Sequence, residues 1–288
     1  MNNKTPFSHK NYEPEKGVLF IVGTPIGNLN DISFRAIKIL TEVTLIACED
    51  TRQTKKIMSK YEITNKLISF NKVNSFKKTP KLIDNLLSGK SIALVSDAGM
   101  PSICDPGEEL IRDARSNGIN VTCIPGPCAA LTAIVSSGFN SSRFTFEGFL
   151  PRKNSMRESI LLELCKNEKT TILYEAPHRL KSLLKELKKY FGSGREIQVS
   201  RELTKKFEEQ IGGNIEEVIN YFENKDVIGE ITVVIKGLNK RKEKKEINKN
   251  AIKNDLNDLI NAGLSLSAAS KYLAKKNNIK KSFIYNLY

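Results

Sequence analysis

The chain has no tryptophan, two histidines and five cysteines in 288 residues. The cysteines, Cys48, Cys104, Cys123, Cys128 and Cys165, form no CxxC pair, are odd in number and stand far from His9 and His178 along the sequence. That spacing indicates neither a disulfide framework nor a zinc site, and no metal is assigned. The thiols read instead as small buried apolar residues. Apolar runs are short as well: none approaches the ~18 residues that a membrane-spanning helix needs. The opening MNNKTPFSHKNYEPEK lacks the apolar core of a secretory signal, so a cytoplasmic protein with no membrane partner is expected. Glycine-rich phosphate loops are missing too. The sequence contains neither GxxxxGK[ST] nor GxGxxG, which argues against an NTP or a dinucleotide held in the usual way.

What is present indicates a chain most of which folds. At roughly 150 residues per domain the length corresponds to about two domains. A hydrophobic content of 40% against 27% charged residues lies in the globular range. The balance of 46 Lys+Arg against 32 Asp+Glu gives a net charge of +14, which points toward a polyanionic partner. That charge is unevenly spread. Residues 239–288 hold 12 basic and 4 acidic side chains, so more than half of the excess sits in the last fifty residues. The remainder is lysine- and asparagine-rich, a bias that an AT-rich coding sequence could impose without any functional cause.

Residues 17–23 (GVLFIVG) form a continuous apolar run closed by Gly-Thr-Pro, the pattern of a buried strand entering a turn. A helical stripe follows through Ile32, Ala36, Ile39 and Leu40, with Asn30 or Asp31 in the N-cap position. The alternation continues with strands at 44–48, 66–70, 91–96 and 120–124 and helices at 51–61, 77–87 and 107–117. Strands alternating with helices predict a largely parallel sheet covered on its faces. Pro125-Gly126-Pro127 cannot continue a central strand, and a domain boundary is placed there. Beyond it helices are expected at 128–137, 155–166, 177–190 and 214–223. Strands are expected at 143–147, 170–174, 195–200 and 229–236, the last of them interior because it alternates poorly. Segment 239–250 (NKRKEKKEINKN) has almost no apolar content and reads as a solvated linker or a charged first turn. After it, apolar stripes at Ile252, Leu256, Leu259 and Ile260, at Ala268, Ala269, Tyr272 and Leu273, and from Ile279 onward resemble a helix-turn-helix appendage. A bundle cap or dimerisation tail is the alternative. The expected organisation is an N-terminal arm (1–16), two α/β domains (17–125 and 126–238) and a basic helical appendage (239–288).

In an open α/β sheet, ligands bind at the carboxyl ends of the strands, so the loops there hold the candidate site. Residues 23–29 (GTPIGNL) make a tight turn with two glycines. Residues 96–107 (SDAGMPSICDPG) carry two Asp, two Gly and two Pro and no cation, a composition that fixes the backbone and does not suit a phosphate cradle. Asp97 and Asp105 are both open to a reading as turn formers and N-caps, which is favoured for Asp105 at the start of helix 107–117, whereas Asp97 is the stronger site candidate. Residues 124–130 (IPGPCAA) open a helix with small side chains that would let a ligand reach the backbone. A nucleophilic role for Cys128 lacks any partner nearby in sequence. FEGFLP (146–151), YEAPHR (174–179) and SRELTKKFEE (200–209) each follow a strand and could face the same cleft. His178 opens a helix beside Glu175 and Arg179, and both a functional and a structural reading of it stand. Arg201, Lys205 and Lys206 are candidates for phosphate contacts, a solvated charged loop being the alternative.

Taken together, GTPIGNL, ACEDTR at 47–52, SDAGMPSICDPG, PGPCAAL, FEGFLPRK, YEAPHRL and RELTKKFEE resemble the tetrapyrrole methylase superfamily. More narrowly they are similar to the ribosomal RNA small subunit methyltransferase I family, which moves a methyl group from S-adenosylmethionine to the 2′-oxygen of a cytidine. The motifs occur in the family's order across residues 17–288. The resemblance implies a two-domain α/β fold with a small helical C-terminal appendage, and a cofactor folded between the domains instead of on a glycine loop. It also implies ribosomal RNA or the small ribosomal subunit as partner, and a homodimer. Carried over by motif, Pro25 borders the cofactor cleft, and Asp97, Ala98, Gly99, Pro101 and Ile103 approach the methionine part. Cys128, Ala129, Glu230 and Thr232 lie near the remainder. Relatives usually have serine at the position of Cys128, so a hydroxyl contact there would be lost while a backbone contact would survive.

A sulfonium methyl is already activated, so the task implied is one of positioning and water exclusion. Glu175, His178 and Lys205 are the candidates for a base or charge-stabilising group at the ribose hydroxyl. Arg179, Arg201 and Lys206, with Lys271 and Lys275 of the appendage, are assigned to RNA, and Phe207, Tyr272 and Tyr285 are available to stack on unpaired bases. The alternatives are a same-fold methyltransferase for a tetrapyrrole or other small molecule, and a non-catalytic RNA-binding protein.

Overall fold

A computed structural model describes residues 17–238, 249–277 and 279–288; the N-terminal arm with His9, and most of the 239–250 linker, lie outside the described residues. The chain divides into two compact units, one ending at Gly237 and one running from Leu238 to Tyr288.

The first half of the larger unit is a five-stranded sheet built from β1 (Val18–Val22), β2 (Leu45–Cys48), β3 (Leu67–Ser69), β4 (Ile92–Val95) and β5 (Asn120–Ile124). All its pairings are parallel and the order is β3-β2-β4-β1-β5. Helices α1 (Phe34–Glu42) and α2 (Thr51–Lys60) cover one face, packing Ala36, Leu40, Ile57 and Met58 on Val22, Ile46, Ala93 and Val95. Helices α3 (Ser75–Leu87) and α4 (Glu108–Ser116) cover the other, where Leu82, Leu86, Leu110 and Ala114 meet Leu19, Ile21, Ala47 and Leu94. The three central strands β2, β4 and β1 are buried on both faces, which is why they read as continuous apolar runs and not as alternating ones. The cap of α1 is Ser33, whose hydroxyl accepts from the Ala36 N–H, and not Asn30 or Asp31. Ile32 is drawn into the core just ahead of the helix, and residues 29–31 form a 3-10 turn capped by Asn28.

The second sheet comprises β6 (Phe144–Phe149), β7 (Thr170–Glu175), β8 (Glu196–Arg201), β9 (Glu209–Asn214) and β10 (Ile231–Ile235), in the order β6-β7-β10-β8-β9. Only β6 and β7 pair parallel; β10 runs antiparallel to both β7 and β8, and β9 antiparallel to β8. The largely parallel pattern expected of the chain therefore belongs to the first sheet. Strand β10 is interior, as its sequence suggests, whereas β9 (EQIGGN) carries no strand signature and gains its place by pairing with β8 along its whole length. Helix α5 (Ala129–Ser137) lies on one face, with Ala130, Ala133 and Ile134 against Ile172 and Val234. Helices α6 (Asn154–Leu164), α7 (Pro177–Phe191) and α8 (Ile215–Phe222) fill the other face.

The smaller unit is a trio of helices, α9 (Lys249–Asn261), α10 (Leu266–Asn277) and α11 (Lys281–Tyr285), closed around Leu256, Ala269, Leu273 and Ile284. Lys271, Tyr272, Lys275 and Tyr285 are on its exposed surface. Among the described residues no helix is long and apolar enough to cross a membrane.

Candidate functional site

The strand order sets the site. Loops that follow β4, β1 and β5 are adjacent because these three strands are adjacent, so segments far apart in sequence become one rim. Thr24 and Gly99 exchange backbone hydrogen bonds of 2.9 and 3.0 Å, and the Thr24 hydroxyl donates to the Ser96 carbonyl at 3.2 Å. Gly23 meets Gly126 backbone to backbone: a Cβ on Gly23 would lie 2.7 Å from the Gly126 Cα and 2.6 Å from the Met100 sulfur. No side chain fits between these loops, which is the physical requirement behind both glycines. The second sheet contributes the ends of β7 and β8 and the start of β10. The antiparallel register places Thr232 opposite both Tyr174 and Ser200, and Ile231 opposite both Glu175 and Arg201. A bond from the Asn28 N–H to the Thr204 hydroxyl, 3.0 Å, ties the two halves.

Between them lies a cavity of about 460 Å³. Asp97, Ala98, Gly99, Ile103, Cys128, Ala129, Glu230 and Thr232, all flagged by motif, line it. Pro25 is buried next to it, and Pro101 lines an adjoining hollow that shares Met100, Ile103 and Cys128 with the cavity. Tyr174 and Phe149 add aromatic wall, their rings 5.6 Å apart, and the Tyr174 hydroxyl accepts from the Ala130 N–H at 3.2 Å. Burial pushes the Tyr174 phenol well up, so it stays protonated.

Among the described residues, the charged groups lining the cavity are all of one sign: Glu49, Asp97, Asp105, Glu175 and Glu230, with no lysine, arginine or histidine. Desolvation, then repulsion from Asp105 and Asp97, raises the Glu49 carboxyl above its ordinary range. Desolvation raises Asp97 and Asp105 as well. Asp97 accepts from the Asp50 N–H at 2.8 Å, while Asp50 itself is held down to about 2 by hydrogen bonds from Arg52. Asp105 is not the helix cap expected of it: Gly107 occupies the cap of α4 at φ 144°, and the half-buried Asp105 faces the cavity. The thiols differ from expectation for the same reason. Only Cys48 is buried; Cys104 and Cys128 line the cavity, and Cys123 is exposed on the outermost strand. All five are free.

The candidate catalytic residues fall in different surroundings. Glu175 is buried, and its oxygens are held by Arg157 and Arg179, each at 3.2 Å, and by the Ala176 N–H at 2.9 Å. Lys205 bridges Glu202 at 2.8 Å and Glu230 at 3.1 Å. Partial burial opposes its charge, but the two carboxylates outweigh that and raise it, so Lys205 is an ammonium donor and not a base. His178 is exposed at the start of α7 and does not line the cavity. Of the residues assigned to RNA, Arg179 and Arg201 are engaged internally, Arg201 by Glu209 at 3.0 Å, whereas Lys206, Lys271 and Lys275 are exposed. Backbone strain collects beside the cavity. Ser102, Cys104, Glu202 and Thr204 are non-glycine residues at φ between 54° and 69°, each costing about 1–3 kcal/mol that the surrounding structure must offset. Glu49, Tyr174 and Phe149 are among the lining residues that sequence reasoning left unassigned, and Asp105 reads there as a cap. The one available signal was positional: Glu49 is the first residue after β2, and Tyr174 and Phe149 stand at strand ends.

Comparison with known proteins agrees with this architecture. The family described as tetrapyrrole (corrin/porphyrin) methylases matches residues 18–219. Ribosomal RNA small subunit methyltransferase I of Halalkalibacterium halodurans is 41% identical across 95% of this chain and 95% of its own length. The Thermotoga maritima protein of the same name is 47% identical over 99% of its length but only 77% of this chain. Uroporphyrin III C-methyltransferase from Thermus thermophilus, solved with S-adenyl homocysteine, shares the fold with a TM-score of 0.55 and 14% identity over 76% of this chain and 97% of its own. With the family match running through both sheets as far as residue 219 and the identity to these relatives extending over most of its length, the chain belongs to the tetrapyrrole methylase family, alongside the ribosomal RNA small subunit methyltransferases I.

Proposed function

We propose that the protein is an S-adenosylmethionine-dependent methyltransferase that modifies the 2′-oxygen of a cytidine in small-subunit ribosomal RNA, acting as a homodimer. The observation that carries the cofactor assignment is the one-sided charge of the cavity: carboxylates and aromatic or apolar wall, with no cation. That lining suits a ligand with positive sulfonium and ammonium groups and disfavours a nucleotide phosphate. Relatives at about 40% identity along nearly the whole chain support the RNA substrate.

When bound, the cofactor supplies a methyl group already activated for transfer. The chain's own work is to bind, orient and exclude water. Asp97 and Glu49 answer cationic groups at the carboxyl end of the first sheet, and the backbone of Ala98, Gly99 and Ala129 offers close approach. Arg157 and Arg179 fix Glu175 and with it the turn into α7. Lys205, held as an ammonium between Glu202 and Glu230, supplies positive charge at the cleft edge, where a hydroxyl losing its proton becomes anionic. Glu230, exposed and lining the cavity, is placed to take that proton.

The test is methyl incorporation from labelled cofactor into small-subunit RNA isolated without the modification, with mass mapping of the product. Labelled 2′-O-methylcytidine at one position is the expected result. Cofactor binding with no incorporation would leave a binding module, and incorporation only into a tetrapyrrole would replace the substrate.

A further inference from the structure

Residues 71–81 (NKVNSFKKTPK) contain four lysines and no acidic residue. They form the loop after β3 and the opening turns of α3, at the same carboxyl edge of the sheet as the cavity. The segment is well anchored. Asn71 Oδ1 accepts from the Val73 and Asn74 N–H groups at 3.1 and 3.2 Å, Asn74 Oδ1 accepts from the Asn71 N–H at 3.0 Å, and Lys78 donates to the Ser69 carbonyl. The underside of α3 is buried through Thr79, Leu82 and Ile83.

On this fixed frame, Val73 is 92% exposed and Phe76 77% exposed. Exposure alone does not mark a site, since Phe34 on α1 is more exposed; what distinguishes Phe76 is its place next to exposed Val73 in a segment with four lysines and no acid. Lys77 and Lys81 stand beside it, exposed and without an ion pair among the described residues. Lys72 joins the ridge to the cavity rim: its ammonium donates to the Cys104 carbonyl at 2.9 Å and acts on the cavity carboxylates Glu49 and Asp105.

We propose that this ridge is a binding site for single-stranded RNA flanking the target nucleotide, with Phe76 stacking on an unpaired base and Lys77 and Lys81 meeting phosphates. The inference rests on the reading of the protein as an RNA methyltransferase. Charge complementarity selects this occupant. A cavity ringed by carboxylates repels the backbone of its own substrate, so cations must stand just outside it, and a ridge with lysines and no acid provides them. An exposed aromatic ring among lysines is the combination that grips unpaired bases irrespective of sequence.

The experiment uses the full chain and compares wild type with Phe76→Ala, Phe76→Trp, the pair Lys77→Ala and Lys81→Ala, and Phe34→Ala. Phe34 is the matched control, 92% exposed but on α1, across the sheet from α3. Methylation is followed on deproteinised small-subunit RNA, and cofactor binding by calorimetry. For Phe76→Ala, KM for RNA should rise by about tenfold or more, in keeping with the worth of one stacked base, while kcat and cofactor affinity hold. Phe76→Trp should restore KM. The lysine pair should lower the slope of log affinity against log salt by about 1.4. An unchanged KM in Phe76→Ala, an equal rise in Phe34→Ala, or a loss seen only on assembled subunits, where a ribosomal protein would be the partner, overturns the proposal. If the wild type methylates no RNA, the functional reading falls. Direct binding of labelled RNA to wild type and to Phe76→Ala then still decides the ridge: a weaker Phe76→Ala supports it and equal affinity overturns it.

Discussion

Asp97 sits where folding and binding make opposite demands. Partial desolvation raises its carboxyl against the opposing hydrogen bond from the Asp50 N–H, and the charge of Asp50 adds to the rise, so the charged form is disfavoured in the folded apoprotein. Its folded value lies above its unfolded one, the native state binds the extra proton, and apoprotein stability falls as pH rises through that window. A cationic ligand reverses the preference, because it favours the ionised form. Cofactor affinity should therefore be full at neutral pH. On acidification it should decline earlier than an ordinary aspartate would dictate, with Glu49 and Asp105 shifting in the same direction. Asp97→Asn is expected to leave the apoprotein as stable or slightly more so at pH 7. It should weaken cofactor binding by about tenfold to a hundredfold, the ~1.5–3 kcal/mol of a charge-assisted hydrogen bond. Thermal melts and calorimetry from pH 8 to 4 measure both arms; a variant that loses stability and keeps affinity would assign Asp97 to the loop and not to the ligand. Lys205 shows how the same kind of evidence narrows a role, since two carboxylates hold its charge and leave it a donor.

At the scale of elements, the turn from β7 into α7 depends on one buried cluster. Arg157 of α6 is 5% exposed and reaches Glu175 and Glu186, while Arg179 grips Glu175 from the other side. Removing Arg157 leaves Glu175 with Arg179 as its remaining guanidinium partner, so Arg157→Met should cost about 1.5–3 kcal/mol in urea unfolding, the worth of a hydrogen bond to a charged group. Adding Glu175→Leu should return part of it, because the under-paired carboxylate is then gone. Equal stability of Arg157→Met and wild type would show that Arg179 alone satisfies Glu175. Arg157 carried no signal in the sequence: it lies mid-helix, and only the packing of α6 on α7 reveals it. The rest of the fold divides along the same line. The central strands of the first sheet were legible because burial on both faces forces unbroken apolar runs. Strand β9 was not, because its two glycines and polar ends are tolerated only by the partner it pairs with. At the site, the residues after β4, β5 and β7 stood out through Gly, Pro and Asp density. Glu49 and Asp105 were missed because an acid at a strand end or before a helix has a common local use, and only the strand order turns both toward one cavity.

For the molecule as a whole, charge and architecture separate in the same place. The larger unit ends at Gly237, and the helices that follow close their own small core. The Thermotoga maritima relative is spanned almost completely by 221 aligned residues, which leaves about a quarter of this chain unmatched. The described residues that line the cavity, its carboxylates among them, and the basic ridge of α3 all belong to the larger unit. Together with the 239–248 linker that precedes it, the helical trio carries +8 of the net +14, and phosphate attraction is the contribution that such a basic segment makes. A chain ending at Gly237 should fold and bind cofactor with unchanged affinity. Its kcat at saturating RNA should stay within about twofold, while KM for RNA rises and the salt dependence of RNA affinity flattens. Sedimentation of the same truncation separates the alternative role: a dimer that becomes a monomer, with RNA affinity and salt slope intact, would assign the helices to assembly. Loss of cofactor binding would mean that the two units are coupled through the fold, because none of the residues lining the cavity lies beyond Gly237.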